Sequence, residues 1–168
     1  ITSVFTQGPM TASESNLDMA IEGDGFFKVR NESGEIGYTR NGSFSVSIVE
    51  GGTMLCTSDG YPVLDNNNNP IVIPENYQIS KLVVGQDGYL AVPNAEGVIE
   101  PLTIKIGLAQ FNNPSGLDQA GGSILKQTVA SGAPLEEGTA PGLKLSKINQ
   151  NYLEGSNVQV VDEMVNLI

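Results

Sequence analysis

Glycine-centred turn signals interrupt this chain so often that no helical apolar stripe can be traced between Leu17 and Asn149. Asp24-Gly25-Phe26, Asp59-Gly60-Tyr61 and Asp87-Gly88-Tyr89 repeat one pattern, an Asp-Gly turn followed by an aromatic residue. Their unequal spacing argues against a solenoid or propeller. The plainer reading is a turn that delivers an aromatic side chain to a core. With 20 Gly and 9 Pro among 168 residues, the chain reads as many short strands joined by turns.

Between the turns, apolar and polar residues alternate. Leu17, Met19 and Ile21 alternate with Asp18 and Glu22, as in a half-buried strand. Gly23-Asp24-Gly25 breaks that run and residues 26–30 resume it, which predicts a hairpin with positive φ at Gly25. Asn41-Gly42, between residues 38–40 and 43–48, predicts a second hairpin by the same chemistry. Further strands are expected within 61–64, 71–73, 79–84, 89–92, 102–111 and 124–129. Residues 65–70, 112–123 and 131–143 read as loops or ordered crossings.

The C-terminal segment has a different period. Ser156 or Asn157 can cap a helix, and Ser156 with Gln159 fits a capping box. Asp162 and Glu163 then lie where the helix dipole favours negative charge. Val158, Val161, Val165 and Ile168 fall at helical spacing, with Met164 beside them. The pattern predicts the start of a helix cut off in mid-stripe. The alternative is a short terminal helix packed on its own domain. The chain opens on Ile1 without Met or a basic leader, which is not the start of an intact reading frame with a Sec signal peptide. No apolar run approaches the ~18 residues of a membrane span.

Composition narrows the chemistry. The chain has no His, which removes Ser-His-Asp triads, Cys-His dyads and His-ligated zinc. The single Cys56 removes internal disulfides and reads as a small core residue. Nineteen acids against eight scattered bases give a net charge of −11, which argues against nucleic-acid and anionic-membrane partners. Asp65, Asn67 and Asn69 imitate the opening of a calcium loop, but Pro70 stands where the sharp turn needs Gly and Asn76 where the last ligand should be Glu. Asn31-Glu32-Ser33 and Asn41-Gly42-Ser43 match glycosylation sequons at expected turns. The carboxylate pairs Glu22 and Asp24, Glu136 and Glu137, and Asp162 and Glu163 each have a local structural reason. There is no Trp to serve as a sugar platform. No phosphate-binding or nucleophile-elbow motif is present, and no cofactor is implied.

Several segments together resemble a known family. Residues 17–29, LDMAIEGDGFFKV, are similar to the signature segment of bacterial flagellar rod and hook proteins. Residues 38–44, YTRNGSF, resemble the family's next motif, with Asn41 where Asp is usual. Residues 57–64, TSDGYPVL, continue the series, and 153–158, LEGSNV, resemble its L-E-x-S-N-V motif. Residues 5–8, 128–134 with Pro141-Gly142, and 160–168 look most like the distal-rod members of the family. The family's hook subunit carries a large inserted domain for which this chain has no room. The Asn run 66–69 and the missing terminal helices depart from the pattern.

The resemblance implies a mainly β, rod/hook-type domain of short twisted antiparallel strands and hairpins, with the start of a C-terminal helix. It implies residues 1–16 as a linker, 17–152 as the β core and 153–168 as the start of a truncated assembly helix carrying Val158, Val161, Met164, Val165 and Ile168, capped by Ser156 and Asn157. Gly23, Asp24, Gly25, Asn41, Gly42, Asp59, Gly60, Asp87 and Gly88 are the expected structural turns. The implied function is structural and non-catalytic: a distal-rod subunit, exported by the flagellar type III system, polymerising into the drive shaft that crosses the periplasm. The implied partners are further copies, hook and proximal rod proteins, and the surrounding rings. The piece itself is expected to be monomeric. The alternatives are a proximal rod or hook-type subunit, or a β-sandwich module that binds carbohydrate or peptide.

Overall fold

The computed structural model describes residues 2–155 and 158–161, with side chains for residues 6–155. In chain order its strands are β1 (Thr2–Phe5), β2 (Met10–Ala12), β3 (Met19–Glu22), β4 (Phe26–Arg30), β5 (Ile36–Thr39), β6 (Phe44–Val49), β7 (Gly52–Thr57), β8 (Val72–Pro74) and β9 (Val83–Val84). They continue as β10 (Tyr89–Pro93), β11 (Ile99–Lys105), β12 (Leu108–Gln110), β13 (Asp118–Gln119), β14 (Leu125–Lys126), β15 (Leu135–Glu136), β16 (Lys147–Gln150), β17 (Tyr152–Glu154) and β18 (Val158–Val161). The described residues contain no α-helix, only 3-10 turns at Ile79–Lys81 and Pro114–Gly116. The expected mainly β class is what the chain adopts.

The largest sheet has six antiparallel strands in the order β13-β14-β5-β4-β12-β15. Strand β4 lies inside it and is buried on both faces. Phe27 and Val29 enter the main core with Met19, Ile21, Leu55, Val63 and Ile73. Phe26 enters a second cluster with Tyr38, Ala109, Phe111 and Leu117. There the Phe111 ring meets Phe26 and Tyr38 edge-on, at centroid distances of 5.9 and 4.8 Å, the geometry favoured by the ring quadrupoles. Two three-stranded sheets, β6-β7-β8 and β11-β10-β9, close over the main core.

Neither hairpin expected around Gly25 and Asn41-Gly42 forms. Strand β3 pairs with β16, and β4 with β5 and β12. Strand β5 pairs with β4 and β14, whereas β6 pairs with β7. Hairpin signals act locally, but Met19, Ala20 and Ile21 are all fully buried. A strand covered on both faces takes the partner that completes the core, and that partner comes from the far end of the chain. Gly25 does not have positive φ; Gly23 does, at 131°. Of the three Asp-Gly turns, those at Gly60 and Gly88 do have φ near 90°. The latter closes the β9-β10 hairpin, with Gly85 N–H donating to the Tyr89 carbonyl. Phe26 enters the second cluster and Tyr61 packs against the main core, but Tyr89 stays half-exposed beneath the Lys105 ammonium, 5.3 Å from its ring centroid.

The expected strand over 79–84 is a 3-10 turn followed by the short β9, and 102–111 is broken at Ile106-Gly107 into β11 and β12. Cys56 is fully buried. The helix predicted from Val158 is corrected over its first turn: Val158–Val161 is strand β18, paired antiparallel with β1 from Phe5↔Val158 to Thr2↔Val161. Val-Gln-Val-Val is rich in β-branched residues, which lose side-chain freedom in a helix and suit a strand. Ser156, Asn157, Met164, Val165 and Ile168 lie outside the described residues.

Candidate functional site

The two ends of the described chain run together in three successive antiparallel ladders. Strand β1 pairs with β18, β2 with β17 and β3 with β16. Between the last two ladders, Ser13 N–H donates to the Asn151 carbonyl and Asn151 N–H to that of Asp18. Asn151 takes φ 65° to make this turn.

Arg40 ties this ribbon to the sheet. Its side chain follows β5 and is 11 % exposed; that of its partner Glu154, in β17, is 2 % exposed. The pair is bidentate: Nε donates to Glu154 Oε1 at 2.9 Å and Nη2 to Oε2 at 2.8 Å. Nη1 donates to the carbonyls of Gly23 and Gly25, each at 2.6 Å, and Nη2 also reaches the carbonyl of Ile21 at 3.1 Å. The guanidinium carbon lies 5.9 Å from the Phe26 ring centroid. The incoming segment joins the same cluster: Gln7 Nε2 and Gly8 N–H donate to Glu154 Oε2 at 2.7 and 2.8 Å, and Gly23 N–H donates to Gln7 Oε1 at 3.1 Å. A planar fork with five donors suits this task, because a buried guanidinium needs an acceptor for each N–H.

Behind the Gly23-Asp24-Gly25 turn, Gly25 N–H donates to Ser146 Oγ at 2.9 Å, and Ser146 Oγ donates to Glu137 Oε2 at 2.7 Å. A Cβ on Gly25 would fall 2.5 Å from Glu137 Oε2 and 2.9 Å from Ser146 Oγ. Asp24 is exposed at the tip. Gly42 is held by contact rather than by φ: its carbonyl accepts from Met19 N–H, and a Cβ there would overlap the Met19 carbonyl. Asn41 shapes the approach, its Oδ1 accepting from Ser43 N–H at 3.0 Å. Asp87 Oδ1 accepts from Tyr89 N–H, whereas Asp59 and Gly60 form an exposed turn away from the junction.

The predicted turns Gly23, Gly25 and Gly42 thus converge around β3. The residues that hold them there, Arg40, Glu154 and Gln7, were not singled out from the sequence. Each lies inside a motif segment, at 38–44, 153–158 and 5–8, and Arg40 is the one base in its motif. Among the described residues, no three His, Cys, Asp or Glu side chains group as a metal site.

Fold and junction define a class: among the described residues, a β scaffold closed by pairing of its N-terminal strands with its C-terminal ones. Residues 20–92 match the model of the flagellar hook protein FlgE/F/G D1 domain, and residues 149–168 match that of the flagellar basal body rod FlgEFG protein C-terminal region. The two matches together span more than half of the chain. The chain belongs to the flagellar rod and hook protein family. It is 36 % identical over 167 residues to the flagellar basal-body rod protein FlgG of Buchnera aphidicola subsp. Schizaphis graminum, covering 98 % of this chain and 60 % of that one. Similarity to FlgG of Borreliella burgdorferi is also 36 %, over 98 % of this chain and 59 % of the relative. FlgF of Caulobacter vibrioides is 37 % identical over 165 residues, covering 98 % and 59 %. The chain therefore spans about 60 % of the length of these relatives. Among solved structures, the Helicobacter pylori flagellar hook protein FlgE2 is a distant likeness, with TM-score 0.38 and 21 % identity over 72 % of this chain and 29 % of that one.

Proposed function

We propose that this chain is the β-rich part of a distal-rod subunit. Copies stack helically into the tubular shaft that carries torque from motor to hook. The observation that carries the reading is the Arg40–Glu154 junction, where four family motifs meet and both chain arms are fixed to one sheet. A subunit under load needs such a fixture, because a force entering through the arms must reach the sheet without peeling β3 from β16. Residues 1–16 and 153–168 then act as the segments leading toward the assembly regions, and 17–152 as the rigid body. The subunit is exported through the flagellar type III system, sits in the basal body where the rod crosses the periplasm, and meets proximal rod, hook and ring proteins. Its role is structural, with no turnover of an external substrate.

Deleting the gene in its host should leave basal bodies whose rod stops short of the hook, and the full-length gene should restore rod and swimming. Complete hook–basal bodies in the deletion strain would contradict the proposal. The likeness to FlgF supports a second reading, a proximal rod subunit. In that case the deletion would stop the rod at an earlier stage.

A further inference from the structure

The Asn run at 66–69, a departure from the family pattern, meets a buried amine that the rod function does not use. Lys28 lies in β4, opposite Tyr38 of β5, and is 1 % exposed. Its stem passes Gly107, where a Cβ would lie 2.5 Å from both Lys28 Cε and the Asp65 carbonyl oxygen. Among the described residues the amine Nζ ends between two side chains: it donates to Asn68 Oδ1 at 2.6 Å and to the Glu136 carboxylate of β15. Asn68 is fixed in place. It has φ 65°, its N–H donates to the Asp65 carbonyl at 3.0 Å, and its own carbonyl accepts from Arg30 Nη2 at 3.0 Å. Asp65 Oδ1 holds the flanking residues by accepting from the N–H groups of Asn67 and Asn69, at 2.8 and 2.9 Å.

An amine, a carboxamide and a carboxylate are the three groups an intramolecular amide exchange needs, and here they meet: the Lys28 amine is buried, Asn68 is partly buried and the Glu136 side chain is 35 % exposed. The amide carbon is one bond beyond the oxygen that Nζ contacts, so nucleophile and electrophile are already neighbours, as a proximity-driven reaction requires. We propose that Lys28 and Asn68 form an isopeptide bond, with Glu136 as the proton carrier. Glu136 takes a proton from the Lys28 ammonium, and the freed nitrogen lone pair attacks Asn68 Cγ while the C=O π electrons move onto Oδ1. Glu136 passes its proton to Nδ2, the carbonyl re-forms and the Cγ–Nδ2 bond breaks. The leaving nitrogen departs as ammonium, having gained its last proton from the lysine nitrogen through the same carboxylate. The balance is Lys–NH3+ plus Asn–CONH2 giving Lys–NH–CO–Asn plus NH4+, with Glu136 ending as the carboxylate it began. No oxidant or cofactor takes part. The bond closes a covalent loop around β5, β6 and β7, and locks the central strand β4 to the turn before β8.

Intact mass spectrometry of the purified full-length protein, denatured before injection, tests this directly. The protein should weigh one ammonia less than its sequence. Trypsin should fail to cut after Lys28, and a branched peptide joining the Lys28 and Asn68 segments should appear. Lys28→Met, Asn68→Ala and Glu136→Gln should each restore the full mass, whether or not the variant folds. Full mass in the unsubstituted protein, with normal cleavage after Lys28, overturns the proposal. So does an ammonia loss that persists in Lys28→Met, which would mark a succinimide at an asparagine instead. Neither outcome touches the rod assignment, which the gene deletion tests separately.

Discussion

Arg40 shows how much one side chain can carry when its donors are all used. Its Glu154 partner is 2 % exposed, so removing the guanidinium strands a carboxylate in a place water does not reach. Breaking a buried pair in this way costs about 3–5 kcal/mol. Arg40→Ala should lower the unfolding free energy measured in urea by an amount of that order, and Arg40→Lys should recover little, since a single ammonium cannot span Glu154, Gly23 and Gly25 at once. A free energy within error of the unsubstituted chain would show that the junction contributes nothing to the fold. The glycines offer a graded comparison. Gly42→Ala drives a Cβ into the backbone carbonyl of Met19, which cannot yield, whereas Gly25→Ala presses only on the side chains of Glu137 and Ser146, which can turn aside. Both should destabilise, with Gly42→Ala the more costly in thermal melts; the reverse order would contradict the contact reading. Tyr38 adds a pH signature. Burial, with the Glu136 charge adding to it, pushes its phenol up to about 12 from an ordinary value of 10.0. The unfolded chain therefore gives up this proton first. The Tyr38 contribution is whole below pH 10 and is lost as pH rises through about 12. Spectrophotometric titration should show a late tyrosinate step that Tyr38→Phe removes.

At the scale of elements, the strands were legible and their partners were not. Alternation located β3, β4 and β6 to within a few residues, because each has a period-two pattern against polar neighbours. Pairing was misread wherever a turn signal stood between strands that diverge into different layers, as at Gly23-Asp24-Gly25 and Asn41-Gly42. Nothing local reports that Lys147 faces Glu22 or that Arg40 meets Glu154. Those contacts join residues more than a hundred positions apart, and only the burial of β3 on both faces demands them. The two-residue strands β13, β14 and β15 are too short to carry a period at all. At the C-terminus the helical spacing of Val158 and Val161 competed with the strand preference of Val-Gln-Val-Val, and pairing with β1 decided it. The β3-β16 ladder has a direct test. A chain ending at Leu145 leaves Met19, Ala20 and Ile21 without a partner strand and should not fold cooperatively. A chain ending at Gly155 keeps β16, β17 and the Arg40–Glu154 pair, and should melt within a few degrees of the whole. Equal melting of the two would remove β16 from the core.

For the molecule as a whole, the net charge of −11 sets its solution behaviour. Like-charged surfaces repel one another at moderate salt, so the 168-residue chain should sediment as a monomer at micromolar concentration. Association into filaments by this piece alone would show that the β surfaces suffice for assembly. The proposed role asks for more than folding: copies must repeat along a shaft, each with its β domain braced to its arms. Electron cryo-microscopy of hook–basal bodies purified from the host tests that claim most directly. Helically repeated density in the distal rod wall should accept this β domain, with the β1-β18 ribbon and the Arg40–Glu154 junction at its base. A distal rod map that accepts no copy of this domain would contradict the claim.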